Sequence, residues 1–325
     1  MPSLTRREVL RGSALAIALL GPMHPFTTHA QAPVRIGTAV LGDYSMACPV
    51  ILALDRGFFK QEGLEVEFVP FRGGPDLLKA VLAGEVLIGV TGSTDIFVFR
   101  EAGAPIKLLA THTEGNHFTL NVAPEVNAVG DLKGKAIGIT RAGSTTWIFA
   151  RMLARQQGWD PDRDVKIVAL GALDAQLAAL SRREIAAFVW GDGGAVTEMQ
   201  GKSKVLMRLD TVTPKWISQI LYASEEAIAR NPEAIRKSLR AIFRAITFMR
   251  AQPQAAAEIC SKKLGWPPEA VLGAHKISGP LLPADGHVSV EALAVMQDTL
   301  LEYGVIKKKL PLADHIASGF SPVRL

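Results

Sequence analysis

The sequence predicts an α/β protein built as two similar, doubly wound lobes joined by a two-strand hinge. Three observations carry that expectation. The chain has 325 residues, room for two domains of ordinary size. A strand-helix-strand-helix-strand layout occurs twice along it. The strands are continuous apolar runs, as expected where helices cover both faces of a parallel sheet.

The first copy opens with a strand over 34–40, the loop Asp43-Tyr44-Ser45 and a helix over 49–59 that Gly63 ends. A strand over 65–71 and the turn Arg72-Gly73-Gly74 lead to a helix over 76–83. A strand over 86–90 and the turn Thr91-Gly92-Ser93-Thr94-Asp95 close the copy. The second copy starts with a strand over Ala136–Ile139, the turn from Arg141 to Thr146 and a helix over 147–157 stopped by Gly158. A strand over 165–170, Gly171, a helix over 174–180, a strand over 185–189 and the turn Trp190-Gly191-Asp192 complete it. Asp76 and Asp174 are expected at the N-caps of matching helices, with Leu82 and Leu180 in register behind them.

Beyond the copies, residues 216–223 read as a strand and Ser224 as a helix cap. In the helix over 232–249, Ile235, Leu239, Ile242, Phe243, Ile246 and Met249 form one stripe, read as core. A short helix over 255–264 ends at Gly265, and the remainder is helical and expected on the first lobe. The expected division is 1–30 as an export signal, 31–118 with 222–325 as lobe I, and 119–221 as lobe II. The chain then crosses between lobes twice, which makes a hinge.

Composition excludes several classes. Apolar residues make up 48% of the chain, enough to bury large cores. The net charge of +5 falls to +3 once residues 1–30, with three Arg and one Glu, are set aside. That scattered excess argues against a nucleic-acid partner, and Lys307-Lys308-Lys309 reads as a solvated helix end. Arg6-Arg7, an apolar stretch over 14–20 and the small residues up to Ala30 have the parts of a signal peptide. The paired arginines indicate the twin-arginine route, with cleavage expected after Ala30. Ala32 also fits the cleavage pattern, but Pro33 would follow the cut bond. No cysteine stands at the junction, so a lipid anchor is not expected. The apolar stretch is shorter than the roughly 20 residues of a membrane span. The mature chain is therefore expected to be soluble and exported. Cys48 and Cys260 read as small buried apolar residues, with a disulfide open in that compartment.

In open α/β sheets, ligands sit at the carboxyl ends of strands. Two lobes facing each other by those edges would make a cleft lined by both sets of turns. Gly143, Ser144, Thr145 and Thr146 offer N–H groups and hydroxyls, either as an anion seat or as an ordinary helix cap. Gly92, Ser93, Thr94 and Asp95 form the matching turn, where Asp95 meets the solute or caps its own helix. Asp43, Tyr44 and Ser45 occupy the first loop. Arg72 and Arg141 either grip a carboxylate or sulfonate through paired bonds or remain surface charges. Trp190 and Trp216 either wall the cleft or pack in the core, and Asp192 completes its far corner.

Other motifs fail on chemistry. Gly201-Lys202-Ser203 resembles the end of a phosphate loop, but Val196 stands where that motif needs glycine. His112, Glu114 and His117 read as hinge-side hydrogen-bonding groups in preference to metal ligands. No Gly-x-Ser-x-Gly elbow or cysteine–histidine cluster is present. No catalytic residue, metal or cofactor is assigned.

A set of short motifs runs through Ala53-Leu54-Asp55-Arg56-Gly57-Phe58-Phe59 before Gly63-Leu64-Glu65-Val66, Leu82-Ala83-Gly84-Glu85 and the turn at Thr91 to Asp95. It continues through Asp131-Leu132-Lys133-Gly134-Lys135, Ile137-Gly138, Gly143-Ser144-Thr145 and Asn231-Pro232. In their order and spacing the sequence resembles the substrate-binding proteins of nitrate/sulfonate/taurine-type ABC importers, a family that includes binders of thiamine pyrimidine precursors. One departure stands at Trp190-Gly191-Asp192-Gly193, where many such proteins carry a Glu-Pro pair.

The resemblance implies a type II periplasmic binding protein-like fold and capture of a small, anionic organic solute, such as a sulfonate or carboxylate, between the lobes. It implies a monomer in the periplasm that docks on a membrane permease, with permease and ATPase on separate chains. The alternatives are an enzyme on the same fold, of the pyrimidine-precursor or menaquinone-pathway type, and a periplasmic sensor subunit. Acidic Asp43, Asp95 and Glu114 also leave room for an amine or a heterocycle.

Overall fold

A computed structural model describes residues 33–213 and 215–325. The expected export signal over 1–30 lies outside the described residues. The first half runs β1 (Val34–Thr38), α1 (Tyr44–Asp55), α2 (Phe58–Gln61), β2 (Val66–Pro70), α3 (Gly74–Leu82), β3 (Ile88–Gly92), α4 (Thr94–Glu101) and β4 (Ile106–Glu114). The chain then crosses into β5 (Thr119–Val122), β6 (Ala136–Ile139), α5 (Thr145–Gln156), β7 (Lys166–Ala169), α6 (Leu173–Ser181), β8 (Ala187–Trp190), α7 (Asp192–Met199) and β9 (Lys204–Arg208). It returns through β10 (Ile217–Ser224).

Two five-stranded sheets result, ordered β2-β1-β3-β10-β4 and β7-β6-β8-β5-β9. In each, the strand that follows a crossing, β10 or β5, inserts antiparallel in the fourth place. The sheets are therefore mixed, and the doubly wound part of each is its three parallel strands. Strand order reverses between β1 and β3 and again between β6 and β8. Those switch points open crevices at the strands' carboxyl ends.

Three expectations change. The helix α1 begins at Tyr44 and runs through Pro49, because the Asp43 side chain accepts the Met46 N–H and caps it early. Asp76 and Asp174 stand in the first turns of α3 and α6, and the N-caps are Gly73 and Ala172. An acid in the first turn suits the helix dipole without capping. The strand β10 pairs wholly within the first sheet, so the second crossing lies over 209–216 and not at 221–222.

The C-terminal part forms α8 (Glu225–Arg230), α9 (Pro232–Ala251), α10 (Pro253–Leu264), α11 (Pro268–Ser278), α12 (Val290–Glu302) and α13 (Leu312–His315). The expected stripe of α9 is buried to the last residue, and the helix packs on α1 and α2 of the first half. The helix α11 also packs on α7 of the second half, a contact the stripe pattern did not indicate. Cys48 on α1 and Cys260 on α10 are buried free thiols. No helix among the described residues is long and apolar enough to cross a membrane.

Candidate functional site

The turns that leave the two switch points face each other. Ala39 and Val40 after β1, Gly73 and Gly74 before α3, and Thr91, Gly92 and Asp95 around β3 form one wall. Thr140, Ser144, Thr145 and Thr146 between β6 and α5, with Trp190 and Gly191 after β8, form the other. Asp43, Met46 and Phe118 complete the lining. The space between them is about 30 Å³, enough for a water or two and too small for an organic solute.

Both halves seal this space by exchanging carboxylates. Asp192, the first residue of α7, accepts the N–H of Tyr44 at 2.7 Å and of Ser45 at 2.9 Å, and the Ser278 hydroxyl at 2.8 Å. Asp95, in the first turn of α4, accepts the Thr145 hydroxyl at 3.1 Å and the Thr91 hydroxyl at 2.5 Å. Each half thus sends an aspartate from its third-strand turn to the first helix of the other. A helix N-terminus carries unpaired N–H groups and partial positive charge, so a carboxylate there is favourable. The closed arrangement also needs space at Gly92, where a Cβ would come within 1.9 Å of the Thr145 hydroxyl oxygen.

Behind the cavity lies a buried polar cluster. Asp43 Oδ1 accepts from the Ser45 hydroxyl at 3.0 Å and from Gln219 Nε2 at 3.0 Å. Its Oδ2 lies 3.3 Å from His117 Nε2, and His117 Nδ1 lies 2.6 Å from the Ser218 hydroxyl. Burial pushes the Asp43 carboxyl up, but the His117 charge and the converging hydrogen bonds overcome it and hold it below its ordinary value. Burial opposes charge on His117 too, and Asp43 reverses that, raising its pKa. Burial and the neighbouring Asp43 push Asp192 up to about 6. Burial alone drives Asp95 up to about 7, against the bonds from Thr91 and Thr145.

Asp43, His117 and Asp192 bring possible metal-ligating atoms within 4.8 Å of one another. Donors of the protein already meet both oxygens of each carboxylate, so a cation would have to displace them.

A model of the family described as NMT1/THI5 like matches residues 45–256. The chain belongs to the NMT1/THI5-like family. Among similar proteins, a binding protein of Brucella abortus is 25% identical over 296 residues, covering 89% of this chain and 91% of that one. The taurine-binding periplasmic protein of Escherichia coli is 30% identical over 150 residues, 46% of each chain. The crystal structure of the periplasmic aliphatic sulphonate binding protein of Escherichia coli superposes with a TM-score of 0.68 at 23% identity, over 87% of this chain and 97% of that one. That likeness shows the fold, which is the periplasmic binding protein fold.

In this NMT1/THI5-like chain the residues expected at the site divide sharply. Asp43, Gly92, Asp95, Ser144, Thr145, Thr146 and Trp190 line the cavity. Trp190 is fixed there by donating its indole N–H to the Gly42 carbonyl at 2.7 Å. Ser144 is also the N-cap of α5, and its hydroxyl knots with those of Thr140 and Thr146 at 2.8 and 2.9 Å. The turn is both cap and wall.

The rest sit elsewhere. Tyr44 and Ser45 turn away from the cavity, Tyr44 meeting His275 at 2.8 Å. Ser93 binds the Ile217 carbonyl, and Thr94 reaches Thr145 at 2.8 Å across the closure. Arg72 is exposed, and Arg141 pairs with Asp76 at 2.7 Å on the rim. Gly143 stands beside the cavity in a left-handed turn, with φ 79°. Asp192 serves the closure, and Trp216 packs against Phe149 in the crossing segment.

Sequence reasoning missed Phe118, Thr140 and the part Gln219 plays; His117 is the hinge-side hydrogen-bonding group expected, but its partner Asp43 was not foreseen. The Gly73-Gly74 pair was visible as a turn and signals close approach of backbone to a neighbour. No local pattern marks the pair of Asp43 and His117, because the two stand 74 residues apart.

Proposed function

We propose that this chain is the exported solute-binding component of an ABC-type importer, taking a small organic solute with an anionic group between its halves. It would work in the periplasm as a monomer and hand the solute to a permease whose membrane and ATPase subunits are other chains. The reading is supported above all by one observation: both halves line a single cavity and close it by exchanged carboxylates at helix N-termini. The family match and the names of its relatives point the same way.

The mechanism is a shift between open and closed states. A ligand favours closure only by its differential affinity for the closed form. The protein's own bridges already stabilise that form, and the two crossings over 115–118 and 209–216 are the hinge. The Ser144 turn and the N-terminus of α5 are the seat for the anionic end.

An enzymatic role has little support in the side chains. Ser45, His117 and Asp43 are close, but Asp43 and Ser45 both meet His117 at Nε2, and Ser218, which meets the opposite nitrogen, is fully buried and outside the cavity lining. A hydrolytic triad needs the acid and the nucleophile on opposite ring nitrogens, with the nucleophile open to the substrate.

Thermal melting of the protein against sulfonates, carboxylates, nitrate and pyrimidines tests the proposal. A true ligand at about 100 Kd adds roughly 2.7 kcal/mol, and small-angle scattering should register compaction. No stabilisation by any solute, with scattering unchanged throughout, would end this reading.

A further inference from the structure

The helix α11 holds both halves at once. It packs on α1 and α10, and also on α7 of the second half. Its entry is stiff. Gly265 ends α10 with φ 70°, in the left-handed region, and Pro267 and Pro268 fix the backbone into the first turn. Trp266 in that bend lies against α7, where a Cβ at Gly193 would fall 3.0 Å from its ring and 2.5 Å from the Gly42 carbonyl oxygen. A Cβ at Gly273, on α11 itself, would fall 2.5 Å from Met199 Cε at the end of α7. Side chains left out of both helices thus let them approach closely.

The far end of α11 reaches the closure bridge. Ser278 is fully buried, with its hydroxyl 2.8 Å from Asp192 Oδ2 and 3.1 Å from the Ala274 carbonyl. The carboxylate is the nearer and the stronger acceptor for that one proton. The same oxygen takes the Ser45 N–H at 2.9 Å. Asp192 is therefore fixed by α11 as well as by α1. His275 adds a tie to the first half, its Nδ1 2.8 Å from the Tyr44 hydroxyl. The helix stays outside the cavity lining, so these contacts act on the closure and not on the solute.

We propose that α11 is a clasp: anchored on the first half, it closes over the N-terminus of α7 and holds the Asp192 carboxylate where the Tyr44 and Ser45 amides meet it. Ser278 and Trp266 are its positioning residues. On the proposed binding function, on which this inference rests, the clasp helps set how tightly the halves hold a solute. Packed interfaces switch between discrete arrangements instead of yielding gradually, so α11 leaves α7 as a unit when the halves part.

Amide hydrogen exchange, read by NMR on the full chain, tests this without any solute. The Tyr44 and Ser45 N–H groups are bonded to Asp192, so their exchange reports the bridge. The amides of the buried stripe of α9 report global unfolding. In the wild-type protein the Tyr44 and Ser45 amides should be protected, and free exchange there would already overturn the clasp. In Ser278→Ala and in Trp266→Ala they should speed up at least about tenfold relative to those of α9. Two variants guard against one that fails to fold, and selective acceleration in either upholds the clasp. If neither shows it, because the two amides stay protected or because α9 loosens equally, the clasp is overturned. Melting against solutes tests the binding function separately. Protected amides in both variants with a stabilising solute strike the clasp alone, and selective exchange with no stabilising solute strikes the binding function alone.

Discussion

Tyr44 donates its backbone N–H to the Asp192 carboxylate at 2.7 Å, across 148 residues of sequence and across the cleft. Ser45 adds a second N–H to the same side chain. Hydrogen bonds to a charged group contribute about 1.5–3 kcal/mol each. Asp192→Ala should lower the unfolding free energy by about that much and raise the radius of gyration of the unliganded protein in small-angle scattering. A compact, undestabilised variant would show the bridge to be incidental.

Gly92→Ala should act as a wedge. The added carbon would meet Thr145 Oγ1 at 1.9 Å, and Thr145 belongs to the other half. The two sheets should keep their separate stability while closure becomes strained. Scattering should report an opened molecule, and solute affinity should fall at least tenfold. A normal affinity would mean that the halves close less tightly in solution.

Asp95 and Asp192 make stability depend on pH in a direction opposite to ordinary acid denaturation. Their pKa values rise from 3.8 to about 7 and about 6. The folded state then holds protons that the unfolded chain releases, so stability falls as pH rises through that window. The slope is up to about 1.4 kcal/mol per pH unit for each group. His117, also raised, acts in the same direction. The lowered Asp43 contributes above 3.8 and stays constant across the window. The melting temperature of the unliganded protein should therefore drop between about pH 4 and 7, and Asp95→Asn should flatten the curve. A melting temperature that rises with pH would contradict the burial of these groups.

Arg141→Ala supplies the contrast. Its side chain is 44% exposed and that of its partner Asp76 22%, and such a pair contributes roughly 0–1 kcal/mol. Affinity should change less than threefold by calorimetry. Ser144→Ala, which removes the cap of α5, should cost about 0.5–2 kcal/mol on unfolding.

The repeated strand-helix layout was legible because burial imprints itself on local composition. The strands at Ala136–Ile139 and the stripe on α9 lie where apolar runs and helical spacing put them. Turns were read less well, since Pro49 suggested a helix start although the Asp43 cap had already made one. Cavity residues that sit in recognisable turns, such as Ser144 and Trp190, were found. Arg72 and Arg141 were open to either reading, an anion grip or a surface charge, and they stand as surface charges, because an exposed arginine finds solvent or a rim carboxylate more readily than a buried cleft.

Sequence alone determined the α/β architecture, its internal repetition and the edge of each sheet where a solute could sit, since strand and turn positions follow from patterns a few residues long. Only the tertiary structure decided which carboxylate answers which helix end. Asp192 meets Tyr44, and Asp95 meets Thr145, because the turns of the two sheets are brought face to face. That pairing depends on where distant turns come to lie, and no short-range pattern of residues encodes it.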